Sequence, residues 1–168
     1  SVACPMFVPL VENDMADTEY EFYMQAVDKN GTPLKNAPVR DLEGDFEGLR
    51  YCEAKGLNTI GKQRVYKETF VESESTNVYI PETPSYEPTT VELVLYFLGE
   101  ERYDTYNQFN DYIRKGFHAY WDSARERKFI FYIEDDISID DEMWYGSMPY
   151  LKVTYKLQNI KGFTEKKS

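Results

Sequence analysis

A single histidine and two cysteines leave this chain of 168 residues short of the usual means of catalysis and metal binding. One histidine excludes HExxH and any histidine-rich zinc centre. Cys4 and Cys52 have no CxxC spacing and make no disulfide framework, so both are expected to be reduced and structural. A reducing site of synthesis is then the default. Neither GxxxxGK[ST] nor GxGxxG occurs, so no glycine loop cradles phosphate. No apolar run approaches the length of a membrane span. The first residues lack the basic and apolar regions of a signal peptide. Basic charge is scarce too: 19 Lys and Arg against 30 Asp and Glu leave a net charge of −11. Such a chain repels phosphate, so neither sequence-specific nucleic-acid binding nor an anionic membrane partner is expected.

Aromatic residues are abundant, with 15 Tyr, 10 Phe and 2 Trp. That load argues against long disorder. Part of it is core. Tyrosine also favours places with one apolar and one wet end, and it is enriched where proteins meet.

Residues 1–18 show no periodicity and read as an amino-terminal arm, with Cys4-Pro5 and Val8-Pro9 forcing extended or turn geometry. Residues 19–160 read as a single β-rich domain, and 161–168 as a flexible basic tail. Alternation predicts a half-buried strand over 19–27, and Asn30-Gly31 predicts a reversal. Pro33 and Pro38 make the return an edge strand or loop. Residues 40–64 read as a long connection punctuated by glycine. Short strands are expected at 65–71 and 77–80. The strongest strand, 91–98, is apolar on both faces, so it lies either under two layers or at a subunit contact. Tyr106, Phe109, Tyr112 and Ile113 share one face of a short helix over about 104–115, capped by Asp104 or Thr105 and ended by Gly116. Strands over 117–121, 128–134 and 150–157 follow. The expected fold class is α+β, a mainly antiparallel β-sandwich or barrel-like sheet with one short packed helix.

Candidate sites are few. His118 reads as an outward or interface histidine within Phe-His-Ala-Tyr-Trp, without a GxSxG elbow to make it catalytic. Glu134, Asp135, Asp136, Asp140, Asp141 and Glu142 place six acids in nine positions. The spacing is not that of an EF-hand, and a solvated acidic loop is expected. Asp122 and Arg125 read as a turn in which Arg125 pairs locally or across a subunit boundary. No cofactor, metal or catalytic residue is expected.

The runs Val91-Glu-Leu-Val-Leu-Tyr-Phe-Leu-Gly99 and Tyr106-Asn-Gln-Phe-Asn-Asp-Tyr-Ile-Arg-Lys-Gly116 resemble structural tail proteins of long-tailed bacteriophages and prophages. So do Tyr120-Trp-Asp-Ser-Ala-Arg125, Trp144-Tyr-Gly-Ser-Met-Pro-Tyr150, Gly48-Leu-Arg-Tyr51, Lys55-Gly-Leu-Asn58 and Val78-Tyr-Ile-Pro81. The resemblance covers roughly residues 45–160 and leaves tail-tube, distal-tail and tail-terminator types open. It implies a virion structural subunit without catalysis, made in the bacterial host cytoplasm. Its partners would be copies of itself in a hexameric ring or tube, together with adjacent tail proteins. Tyr96, Arg125, Trp144 and Tyr145 are then candidate interface residues. The six acids become a candidate lumen or stacking loop past which a genome slides without phosphate contacts. The alternatives are a carbohydrate-binding module using exposed aromatics and a hydrolase using paired carboxylates.

Overall fold

A computed structural model describes residues 22–70, 75–122, 126–143 and 148–166. The amino-terminal arm therefore lies outside the described residues. The elements run β1 (Phe22–Val27), β2 (Arg40–Asp41), α1 (Leu42–Asp45), β3 (Leu49–Lys55), β4 (Tyr66–Phe70), β5 (Ser75–Tyr79) and β6 (Thr89–Leu98). There follow α2 (Arg102–Ile113), β7 (Phe117–Asp122), β8 (Arg127–Tyr132), β9 (Ile139–Met143), β10 (Tyr150–Asn159) and β11 (Glu165–Lys166).

The fold is α+β, and its main sheet is antiparallel throughout. The hydrogen-bonded order is β2-β1-β7-β8-β10-β6-β3, with β9 added to β10 and β11 to β8. β10 carries two neighbours on one side: Tyr150–Val153 pair with β9, and Gln158 and Asn159 pair with β8. Its other side pairs with β6 along its whole length. No ladder joins β2 to β3 among the described residues, so the sheet does not close into a barrel. The sheet instead curls until β1 faces β3, where the Phe22 and Tyr51 rings approach to 5.2 Å.

Strict alternation builds the interior. Leu151, Val153, Tyr155 and Leu157 of β10 and Val91, Leu93, Leu95 and Phe97 of β6 all enter one core. Phe22 and Met24 of β1, Tyr120 of β7, and Phe129 and Phe131 of β8 meet them from the other half. Each fully buried side chain of this size stabilises the fold by roughly 1.5–3 kcal/mol. Helix α2 closes one end. Its Phe109 packs edge-on against Tyr155 at 5.3 Å and Phe46 at 5.3 Å, and the Tyr155 hydroxyl donates to Asn110 Oδ1 at 2.6 Å. The helix starts two residues before the expected position. Thr105 does not cap it but donates to the Glu47 carbonyl at 3.0 Å, which spends the hydroxyl on a tertiary contact. Gly116 adopts φ +71°, as its place after the helix requires.

Two expectations are corrected here. The 40–64 connection contains α1 and β3, and β3 is an edge strand of the main sheet. The basic tail is not free up to Lys166, because Glu165 and Lys166 pair with Lys128 and Arg127 of β8.

β4 and β5 stand apart. Among the described residues they pair only with each other, Tyr66 opposite Tyr79 through Phe70 opposite Ser75. Below the hairpin its two arms stay together: the Arg64 N–H donates to the Ser85 carbonyl, and the Glu87 N–H to that of Lys62. The Gly61 N–H donates to the Gly162 carbonyl at 2.7 Å, which ties the hairpin base to the carboxy-terminal segment. A Cβ on Gly61 would lie 2.0 Å from the Glu87 carbonyl oxygen, and one on Gly162 would lie 2.2 Å from the same atom. Only glycine lets three backbones meet there.

Candidate functional site

The hairpin is the most unusual surface. Its apolar residues point to solvent: Tyr66 is 62 % exposed, Val78 52 %, Tyr79 48 % and Ile80 64 %. Tyr66 and Tyr79 face each other across the strands with ring centroids 5.6 Å apart. An isolated two-stranded ribbon is marginal in water, and four large exposed apolar side chains at its base add to the cost of leaving it uncovered.

A groove lies on the outer face of β1, β7 and β8. It encloses about 470 Å³ and is lined by Tyr23, Ala119, Trp121, Ile130, Pro33 and Val39, among others. Tyr23 and Trp121 are opposed across β1 and β7 and stack with centroids 4.8 Å apart at 19°. Lys128, Lys161 and Glu165 edge the groove, and Lys161 reaches Glu165 at 3.8 Å. A second groove of about 580 Å³, lined by Ile60, Tyr86, Arg127 and Phe163, lies beside the hairpin base.

The acidic residues form no single loop. Asp140, Asp141 and Glu142 belong to β9, whereas Glu134, Asp135 and Asp136 precede it. Sequence reasoning missed this strand because Ile-Asp-Asp-Glu-Met has little β propensity. It is held by its ladder to β10 and by neutral donors. Tyr103 donates to Glu142 at 2.5 Å, Tyr150 to Asp141 at 3.0 Å, and Thr154 to Asp140 at 2.6 Å. Tyr132 donates to Glu134 at 3.1 Å and the Gln158 amide to Asp135 at 3.3 Å. Hydroxyls and amides orient a carboxylate without neutralising it. Among the described residues none of the six acids forms a salt bridge, so the surface keeps its negative charge. The carboxylates hold the phenols protonated: the bond to Glu142 raises the Tyr103 pKa, and the bond to Glu134 raises that of Tyr132. For Tyr150, burial comes first and the Asp141 bond second. Among the described residues, no cluster of His, Cys, Asp or Glu could hold a metal ion. None of the six acids lines either groove.

Tyr96 does not face outward. It is 6 % exposed and packs edge-on against Tyr150 at 5.6 Å, beside Leu98, Cys52 and Met148. Burial, then the nearby Asp141 charge, raises its pKa. β6 is therefore covered on both faces within one chain, and Tyr96 does not provide an exposed contact surface. Arg125, Trp144 and Tyr145 lie outside the described residues.

His118 is also internal, not outward. It is 1 % exposed, lies edge-on to Tyr112 at 4.7 Å and stacks on Phe131 at 5.7 Å. Both faces of its strand are aromatic, so alternation alone gave no direction. Nδ1 has no hydrogen-bond partner among the described residues. Burial lowers the imidazole pKa to about 4, against a smaller opposing pull from a hydrogen bond to the Tyr112 backbone. Burial also raises the Tyr112 phenol to about 12. The Arg40 guanidinium covers the Phe46 and Tyr112 rings at 4.6 and 4.8 Å and bonds Asp45 at 3.1 Å. This arrangement is aromatic packing around the imidazole.

Cys52 is disulfide-bonded, which corrects the expectation of reduced cysteines. The other cysteine in the sequence, Cys4, lies outside the described residues. Among the described residues no helix is long and apolar enough to cross a membrane. No protein-family model matches the chain, and no curated protein matches it significantly.

Proposed function

We propose that this chain is a structural subunit of a bacteriophage tail, assembling from copies of itself into a ring or tube through which the genome passes. The observation that carries the reading is the β4–β5 hairpin: among the described residues it pairs with no other strand, and it exposes Tyr66, Val78, Tyr79 and Ile80. Such a surface gains free energy only when another surface covers it. The un-neutralised acids on and before β9 support the second half of the reading. A channel lined by fixed negative charge lets a polyphosphate slide, since no phosphate contact forms and no counterion is released. The subunit is made in the host cytoplasm and works in the virion, beside other tail proteins. A disulfide at Cys52 suits a particle that spends its life outside the reducing cytoplasm.

A carbohydrate-binding module calls for a flat row of exposed rings. Tyr66 and Tyr79 are tilted 40° to each other on a ribbon, which is a poor sugar platform. Light scattering after size exclusion, followed by negative-stain microscopy over a rising concentration series, tests the assembly reading. Rings or tubes are expected. A chain that stays monomeric at every concentration, millimolar included, ends it.

A further inference from the structure

We infer that Cys52 is bonded to Cys4, and that the amino-terminal arm is strapped by this bond over the outer face of β3 and β6, a cover that a thiol reductant releases. Neither the bond nor the cover depends on self-assembly. Sulfur stoichiometry gives the partner: Cys52 is disulfide-bonded, and the chain has one other cysteine, Cys4. Burial gives the place. In β3, Tyr51 packs against the inner core and Cys52 against Tyr96 and Leu98 on the opposite face. Val94, Tyr96 and Leu98 form the outer row of β6, and they are 3 %, 6 % and 8 % exposed. A row on the outer face of a sheet reaches such burial only under a second layer. Neither helix supplies that layer, because Leu42 and Phe46 at α1 and Phe109 and Ile113 of α2 all enter the inner core. The described side chains packed against Tyr96 and Leu98 are Cys52, Met148 and Tyr150, which are themselves only partly buried, so they flank the row and do not roof it.

Reach and composition agree. Phe22 opens β1, and its ring lies 5.2 Å from that of Tyr51, the neighbour of Cys52. Phe22 follows Cys4 by 18 residues (22 − 4), enough extended chain for roughly 60 Å. From Phe22 the arm has only to round the edge strand β3 to reach Cys52 on the outer face. Around Cys4 the sequence is apolar without a break from Val2 to Val11, which suits it to cover an apolar row. Release takes two equivalents of a monothiol. The Cys4–Cys52 bond breaks, each cysteine gains one electron and one proton, and the two reductant thiols oxidise to one disulfide. Reduction leaves the arm joined at Phe22 alone, and the row of Val94, Tyr96 and Leu98 opens to a partner. A chain in a reducing compartment then shows an apolar face that the oxidised chain hides.

The test uses the full chain. Wild type is alkylated without reduction and digested with trypsin, which cuts after Lys29, Arg50 and Lys55. Peptides 1–29 and 51–55 should appear as one linked species that dithiothreitol splits in two. Peptide 51–55 recovered alkylated, or linked to a second copy of itself, overturns the bond. Hydroxyl-radical footprinting read by mass spectrometry then probes the cover in oxidised wild type, in wild type reduced and alkylated, and in Cys4→Ser. Tyr96 and Met148 should label several-fold faster in the last two, while Tyr155 of the inner core stays protected. Unchanged labelling of Tyr96 and Met148 shows that another segment roofs the row and overturns the strap. A rise at Tyr155 equal to that at Tyr96 shows that the bond holds the whole fold and not a cover, and overturns the strap as well. None of these readouts follows oligomeric state, so a chain that never assembles leaves the strap standing.

Discussion

Acidification should destabilise the monomer through His118. The imidazole is sealed between Tyr112 and Phe131, and burial holds its pKa at about 4 against 6.5 in an unfolded chain. Protonation would place a buried cation beside the Tyr112 ring, with Nδ1 unpartnered among the described residues. A base with a depressed folded pKa binds more protons when unfolded. Its contribution is therefore complete above pH 6.5 and is lost as pH falls towards 4. The full loss is about 3 kcal/mol, and about 2 kcal/mol of it falls between pH 7 and pH 5. Carboxylates titrate in the lower part of that range, so the comparison is with His118→Phe, which keeps a ring in the same slot. Urea unfolding of dilute protein at pH 7, 6 and 5 gives both curves. Wild type should lose about 2 kcal/mol relative to the variant across that interval. The Cε1 proton resonance of the folded protein should titrate near pH 4. A resonance titrating near 6.5, or two parallel stability curves, would show that the histidine is not desolvated as described.

The Cys52 disulfide predicts that Cys52→Ser, or wild type in reductant, loses roughly 2–5 kcal/mol in chemical denaturation. Identical midpoints with and without reductant would contradict it. Gly61→Ala drives a Cβ to 2.0 Å from the Glu87 carbonyl oxygen and should cost at least about 2 kcal/mol. It should also speed amide hydrogen exchange at Glu87, whose N–H bonds the Lys62 carbonyl; unchanged exchange there would mean that the junction does not hold the hairpin base.

Elements built by periodicity could be read from the sequence. β6 and β10 are each one long alternating or doubly apolar run, and the structure pairs them over their whole length. Helix α2 showed its buried face through Phe109 and Ile113. What stayed hidden was structure held by partners and not by pattern. β3 pairs with β6 through a register shift between Tyr51 and Glu53, which breaks its alternation. β9 is acidic and is fixed by phenols from α2 and β10. The inward turn of His118 and the burial of Tyr96 depend on which of two apolar faces meets the core, and neither strand announces that choice. The exposed apolar base of the hairpin was not legible either, because Val78-Tyr-Ile80 reads like any strand that finds cover.

The crossing of Gly61, Glu87 and Gly162 has a mechanical consequence. β6 begins two residues after Glu87, and β10 ends three before Gly162. Those two strands run side by side for ten paired residues through the middle of the molecule. A pull on the hairpin is thus delivered to the stiffest seam of the body, where hydrogen bonds crossing the strand direction share the load in shear. In the proposed assembly, tension along a column of subunits would pass from seam to seam and spare the loops.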